Sequence, residues 1–231
     1  MKKIIPLLLA GIWFAACDDG NIYPKEKEDV SGATATIQVR FSGQDAWPDA
    51  YKLVFAGFDE NTEVPSISKV ISKPASDTAT QTVTLNGLTD DIKTLSISLL
   101  GKGRNLIYNF YSYPVPEGSD HILLPVEEIN LAELPRVQAQ IFDLHCTRCH
   151  GAGNHAAADL DLTAGHSQAD LLNIPTVTGP TGTFRVVPGN VEKSFLHQVL
   201  TEDCIEGYNH TDVLPEEELL SLIETWIKNY K

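Results

Sequence analysis

The apolar residues of this chain change their period once, near Pro135, and that change constrains the fold more than any other feature. From Thr34 to about Leu131 they alternate with polar residues in short runs. After Pro135, Val137, Ile141, Phe142 and Leu144 recur at helical spacing. Period 2 puts side chains on the two faces of a strand, whereas period 3.6 gathers them on one stripe of a helix. A β-rich part is therefore expected first and a helical part second, and 231 residues suffice for two small domains.

Seven alternating runs fall in the first part: Thr34–Phe41, Tyr51–Phe55, Ser66–Ile71, Thr80–Leu85, Leu95–Leu99, Leu106–Phe110 and Ile122–Leu124. Asn86-Gly87, Gly101-Lys102-Gly103 and Pro116-Glu117-Gly118 supply the reversals between them. Their number and spacing resemble an immunoglobulin-like sandwich of two antiparallel sheets over residues 32–131. His121, Trp47 and Tyr51 form no catalytic constellation there. Residues 132–231 are expected to be all-α. One helix leads to Cys146 and stops near Gly151 and Gly153, another closes the chain, and the Leu171-Leu172 and Ser194 to Leu200 segments between them can supply shorter helices. Around the start of the second, Asp212 serves as cap, Pro215 lies where its missing N–H costs little, and Glu216, Glu217 and Glu218 face the positive end of the dipole. Leu219, Leu222, Ile223, Trp226 and Ile227 form its apolar stripe.

The first helix ends in Cys146-Thr147-Arg148-Cys149-His150, two thiols three residues apart followed directly by an imidazole. That arrangement is the attachment signal of c-type haem. Positions i and i+3 project from one face of a helical turn, so Cys146 and Cys149 both reach the vinyl groups of one porphyrin, and His150 ligates its iron. A local disulfide and half of a zinc site are the alternatives, although a zinc site calls for a second Cys/His pair at matching spacing.

Lys2 and Lys3 precede an apolar run from Ile4 to Ala16, short of the ~20 residues that span a bilayer. Residues 1–16 read as a secretory signal. The run ends Phe14-Ala15-Ala16-Cys17, which resembles the lipobox of bacterial lipoproteins, whose cysteine is acylated after cleavage. Phe14 stands where leucine is usual, and simple cleavage that leaves a free Cys17 thiol is the alternative. Residues 17–31, mostly polar, read as a lipid-anchored tether. Its composition resembles lipoproteins of the Bacteroides group, some displayed at the cell surface. The expected location is the cell envelope, on the outer membrane, facing the periplasm or the cell surface. Cys204 is left over.

The formal charge of −14 becomes −16 when Lys2 and Lys3 leave with the signal. A field of that sign repels phosphate backbones, so nucleic acid is excluded as a partner, while a basic redox protein would be steered in.

From about residue 138 to 230 the sequence resembles the cytochrome c domains of planctomycete and Bacteroidetes exported proteins. The pieces that carry the resemblance are Ile141-Phe142, Cys146 to Gly151, Ala158-Asp159-Leu160-Asp161-Leu162, Val186-Val187-Pro188-Gly189-Asn190, Ser194-Phe195-Leu196, and Leu214 to Glu218 leading into Trp226-Ile227. The resemblance implies an all-α cytochrome c domain over 132–231 with one covalent haem c. It also implies a methionine as sixth iron ligand, shortly before the closing helix. Here that stretch reads Glu206-Gly207-Tyr208-Asn209-His210-Thr211, and Met1 is the only methionine in the chain. His210 is the first candidate to replace it, ahead of His197, then His155 and His166, with an open position as the remaining choice. His145 adjoins Cys146 and is expected to point away from the ring.

The leading functional expectation is a membrane-tethered monohaem electron carrier with no enzymatic activity, the β part serving as spacer or docking module and an unidentified redox protein as partner. Two others stand beside it. One is an open-site haem protein for gas or peroxide; the other is a surface-binding lipoprotein whose haem domain is accessory.

Overall fold

A computed structural model of the chain describes residues 32–151, 156–214 and 216–230. The expected leader 1–16, Cys17, the tether to residue 31, His155 and Pro215 lie outside the described residues.

Strand β1 (Ala33–Ser42) is the axis of the first sheet. Its alternation buries Ala35, Ile37, Val39 and Phe41 completely. On one edge it pairs antiparallel with β4 (Gln81–Leu88). On the other edge it takes two short strands in parallel, β7 (His121–Leu123) near its start and β8 (Glu128–Asn130) at its end. The second sheet is antiparallel in the order β3-β2-β5-β6. Its strands are β2 (Lys52–Phe58), β3 (Ile67–Val70), β5 (Thr94–Leu100) and β6 (Leu106–Pro114). Ile37, Phe41, Phe55, Ile97 and Leu99 belong to one shared core cluster of fully or nearly fully buried side chains.

Helix α1 (Leu134–Val137) runs directly into a π-helical segment, Gln138–Cys146. Then come α2 (Ser167–Leu171), α3 (Phe195–Thr201) and the longest helix, α4 (Glu217–Asn229). Val137, Ile141, Phe142, Leu222, Ile223 and Trp226 form a second core cluster, with the Phe142 and Trp226 rings edge to face at 6.3 Å.

The expected fold class, an immunoglobulin-like sandwich followed by a separate all-α cytochrome c domain, is corrected on three points. Among the described residues strand accounts for 30% and helix for 23%, so this part is predominantly β. The part after Leu131 is not all-α: α1, α2 and α3 span four, five and seven residues. Between Leu172 and Ser194 the backbone is held by isolated bridges, Leu172 with Val186, Pro175 with Phe184 and Phe184 with Ser194. Pro175, Pro180 and Pro188 lack the amide a helix needs, and Gly179, Gly182 and Gly189 favour turns, which explains the missing helix. The sheets are not both antiparallel, because β7 and β8 join β1 in parallel. Ser31–Lys231 forms one compact unit.

Arg136 shows what joins the parts. Its guanidinium is 0% exposed. Nη1 donates to the carbonyls of Leu131 (2.7 Å) and Ala46 (2.9 Å), and Nε donates to Gln140 Oε1 (2.6 Å). Asp45 takes Lys228 of α4 at 2.9 Å. The end of β1, the start of α1 and the face of α4 are thus fastened together. No helix of the described residues is long and apolar enough to cross a membrane.

Candidate functional site

Val137 at the end of α1 and Ile141, Phe142 and Cys146 of the π-helical segment lie on the inner side of the helical part. Their spacing of four to five residues suits the wider i to i+5 turn, and such turns occur often at functional sites. The Thr147 amide closes the last of these turns on the Phe142 carbonyl at 2.9 Å. An ordinary turn follows, with the amides of Cys149 (3.1 Å) and His150 (2.9 Å) both donating to the Cys146 carbonyl. Cys146, Cys149 and His150 are thereby delivered to the edge of one cavity of about 360 Å³.

Its walls are apolar: Phe142, Leu162, Leu171, Phe195, Val199 and Ile223 come from four different helices and the loop before α2. His210 also lines it, from the loop between α3 and α4. The His150 and His210 rings stand 6.2 Å apart between centroids, with 28° between their planes. Nδ1 of His150 lies 2.9 Å from the Ala157 carbonyl. A ring nitrogen that donates there is protonated, which leaves Nε2 with its lone pair free for a metal. Nδ1 of His210 is buried without a hydrogen-bond partner.

Burial lowers the basicity of both imidazoles. For His150 it is the largest effect, against which the Ala157 contact pulls upward. For His210 it is reinforced by His150 itself. Neutral imidazoles are the form that ligates metals. Burial, with Cys149 adding to it, pushes the Cys146 thiol up to about 12, so at neutral pH it is protonated. Cys146 and Cys149 are free thiols, the former partly buried and the latter exposed.

No family model, curated protein or solved structure matches this chain.

The other histidines are accounted for locally. His197 Nε2 meets Glu224 Oε1 at 2.9 Å between α3 and α4, and is not on the cavity wall. His166 is exposed and faces Asp161 at 3.8 Å. His145, expected to point away, contributes to the cavity wall. Among the described residues no group of three or more His, Cys, Asp or Glu converges closely enough to hold a bare ion. Tyr208, half exposed, packs edge-on against His210 at 4.7 Å between ring centroids.

Two features of this site lie outside the sequence motifs. Arg185 lies against the cavity although only 8% exposed, and the turn at Ala157–Asp159 presents its first carbonyl to His150. A lone arginine in the apolar run Phe184-Arg185-Val186-Val187 was the available signal.

Proposed function

We propose that this chain is a tethered electron carrier that holds one haem c covalently through Cys146 and Cys149, with His150 and His210 as axial ligands. The observation that carries the reading is the pair of imidazoles in one apolar cavity beside the two thiols. Metal–nitrogen bonds of about 2 Å on each side, plus about 1 Å from nitrogen to ring centre, put two imidazoles on one metal about 6 Å apart. The 6.2 Å between His150 and His210 suits that arrangement. The unpartnered Nδ1 of His210 is a second support, since a buried polar atom without a partner is costly.

When bound, the group supplies one-electron exchange between ferric and ferrous iron. The chain's own residues set the conditions. Phe142, Phe195 and Ile223 on the cavity wall would keep water from the bound group. Ala157 holds His150 by its distal nitrogen, and Tyr208 leans on His210 at the cavity mouth. With imidazole where methionine is usual, a low reduction potential follows. The acidic surface suits a basic redox partner. Cys17 after a short apolar run supports lipid anchoring at the cell envelope.

The test is a set of absorption spectra of the exported protein, wild type and His210→Ala, before and after carbon monoxide, with denaturation to check that haem stays attached. The expected result is a low-spin wild type that ignores carbon monoxide and a His210→Ala variant that binds it. A wild type already reactive to carbon monoxide would move the reading to gas or peroxide chemistry. Absence of covalent haem would end it.

A further inference from the structure

We propose that Arg185 is a positioning residue for His150, acting through the backbone turn at residues 157–159. The inference rests on the haem reading above and adds to it the device that fixes the proximal imidazole.

The turn that receives His150 is strained. Ala158 and Asp159 both have left-handed backbones, with φ of 56° and 50°. Side chains other than glycine disfavour that region because Cβ crowds the backbone, and two such residues in succession do not hold it unaided. The turn's own amide bonds are long, 3.2 Å for Asp159 to Ala156 and 3.2 Å for Leu160 to Ala157. The Ala157 amide ties the turn's first residue to the Cys149 carbonyl at 2.9 Å, and Arg185 supplies the restraint on the two left-handed residues that follow. Its Nη2 donates to the carbonyls of both Ala158 and Asp159 at 2.9 Å, and its Nη1 donates to the Asp170 carbonyl at 2.9 Å. Among the described residues no other side chain donates to the Ala158 or Asp159 carbonyls.

The guanidinium is itself fixed at its root. The Arg185 amide donates to Ile174 at 2.7 Å, and its carbonyl accepts the Leu196 amide of α3 at 2.9 Å. A planar fork with donors at set angles clamps neighbouring carbonyls in a way that an ammonium point charge does not. The line of restraint therefore runs from α3 through Arg185 to the turn, and from the Ala157 carbonyl to Nδ1 of His150. Its chemical effect is to hold the tautomer and ring orientation that aim Nε2 into the cavity, and to raise the donor strength of that nitrogen.

The experiment compares the full-length haem-loaded protein with its Arg185→Lys variant, and with Arg185→Lys carrying also Ala158→Gly and Asp159→Gly. Lysine keeps the charge beside the cavity, so a purely electrostatic role leaves the midpoint potential where it was. Positioning gives a different result. Arg185→Lys shifts the potential upward, because a loosened Ala157 contact makes His150 a poorer donor to ferric iron, and the amides of 157–160 exchange hydrogen faster. Glycine takes positive φ freely, so the two glycines return both readings toward wild type. An Arg185→Lys protein with the wild-type potential overturns the proposal, as does a shift that the glycines leave in place. If Arg185→Lys alone does not accumulate, recovery of folded, haem-loaded protein in the glycine background supports the proposal and failure to recover overturns it. A wild type without covalent haem defeats the haem reading itself, a result separate from a haem-loaded protein indifferent to residue 185.

Discussion

Glu218 of α4 reaches Arg136 of α1 with 3.5 Å between Oε1 and Nη2, while its Oε2 accepts the Ala50 amide at 2.7 Å. One carboxylate thus binds the helical part and the loop before β2 to the same buried guanidinium. Burial pushes the Arg136 group down to about 10, which still leaves it charged at neutral pH. A buried charge with one close counter-ion is sensitive to the loss of either.

Replacing Arg136 with alanine is expected to lower unfolding stability by about 3–5 kcal/mol, the cost of leaving a buried partner uncompensated. Urea unfolding monitored by tryptophan fluorescence and by circular dichroism checks it. Both probes are expected to move together, since the strands and helices belong to one compact unit. Separate transitions would contradict that.

The Glu133 carboxyl, which accepts the Tyr108 hydroxyl at 2.7 Å, is raised above the ordinary glutamate range by burial, although Tyr108 and Arg136 draw it back. A raised carboxyl binds its proton in the folded state at a pH where the unfolded state has released it. The contribution to stability is therefore full below the unfolded value and declines as pH rises through the folded one. Glu133→Gln keeps the acceptor and removes the titration, so its urea midpoint is expected to fall less than wild type as pH rises above the ordinary glutamate range of about 4. Parallel pH profiles would refute the assignment.

If the chain holds haem c as proposed, serine at both Cys146 and Cys149 is expected to abolish the haem band that survives denaturation. Either single replacement is expected to leave a reduced band held by one thioether. The peroxidase stain of a denaturing gel reads both outcomes.

Phe142 is fully buried and lies on the cavity wall with Trp226 at its edge. Phe142→Ala is expected to cost about 3–5 kcal/mol, as for other large-to-small changes in a packed core. Calorimetry of the haem-loaded protein measures it, and a loss below about 1 kcal/mol would mean that the site collapses around the gap.

The strands were legible because alternation is a local signal. Each of the seven alternating runs overlaps a strand, from Thr34–Phe41 in β1 to Ile122–Leu124 in β7. β8 was missed because Glu128-Ile129-Asn130 contains a single apolar residue, and only pairing with Arg40–Ser42 defines it. The thiols and imidazole of Cys146, Cys149 and His150 were legible as a spaced motif, and His210 was reached through the missing methionine. What could not be read depended on partners distant in sequence. Arg136 looks like a surface arginine until Ala46 and Glu218 are seen beside it. Arg185 has no local pattern linking it to Ala158. The π-helical geometry of 138–146 hides within a spacing that also fits an α-helix. The all-α expectation failed in the Pro- and Gly-rich stretch between Leu172 and Ser194, which isolated bridges hold in place of helix, while short helices do stand at 167–171 and 195–201.

The double pairing of β1 has a mechanical meaning. Its ten residues span about 33 Å at 3.3 Å per residue. Both edges are bonded, by β4 along one side and by β7 and β8 along the other. The strand runs from the point where the chain enters the folded unit to the seam with α4. A pull between Ala33 and the helical part therefore loads β1 along its own axis. The ladder bonds on both sides then bear the force together in shear, instead of opening one after another like a zip.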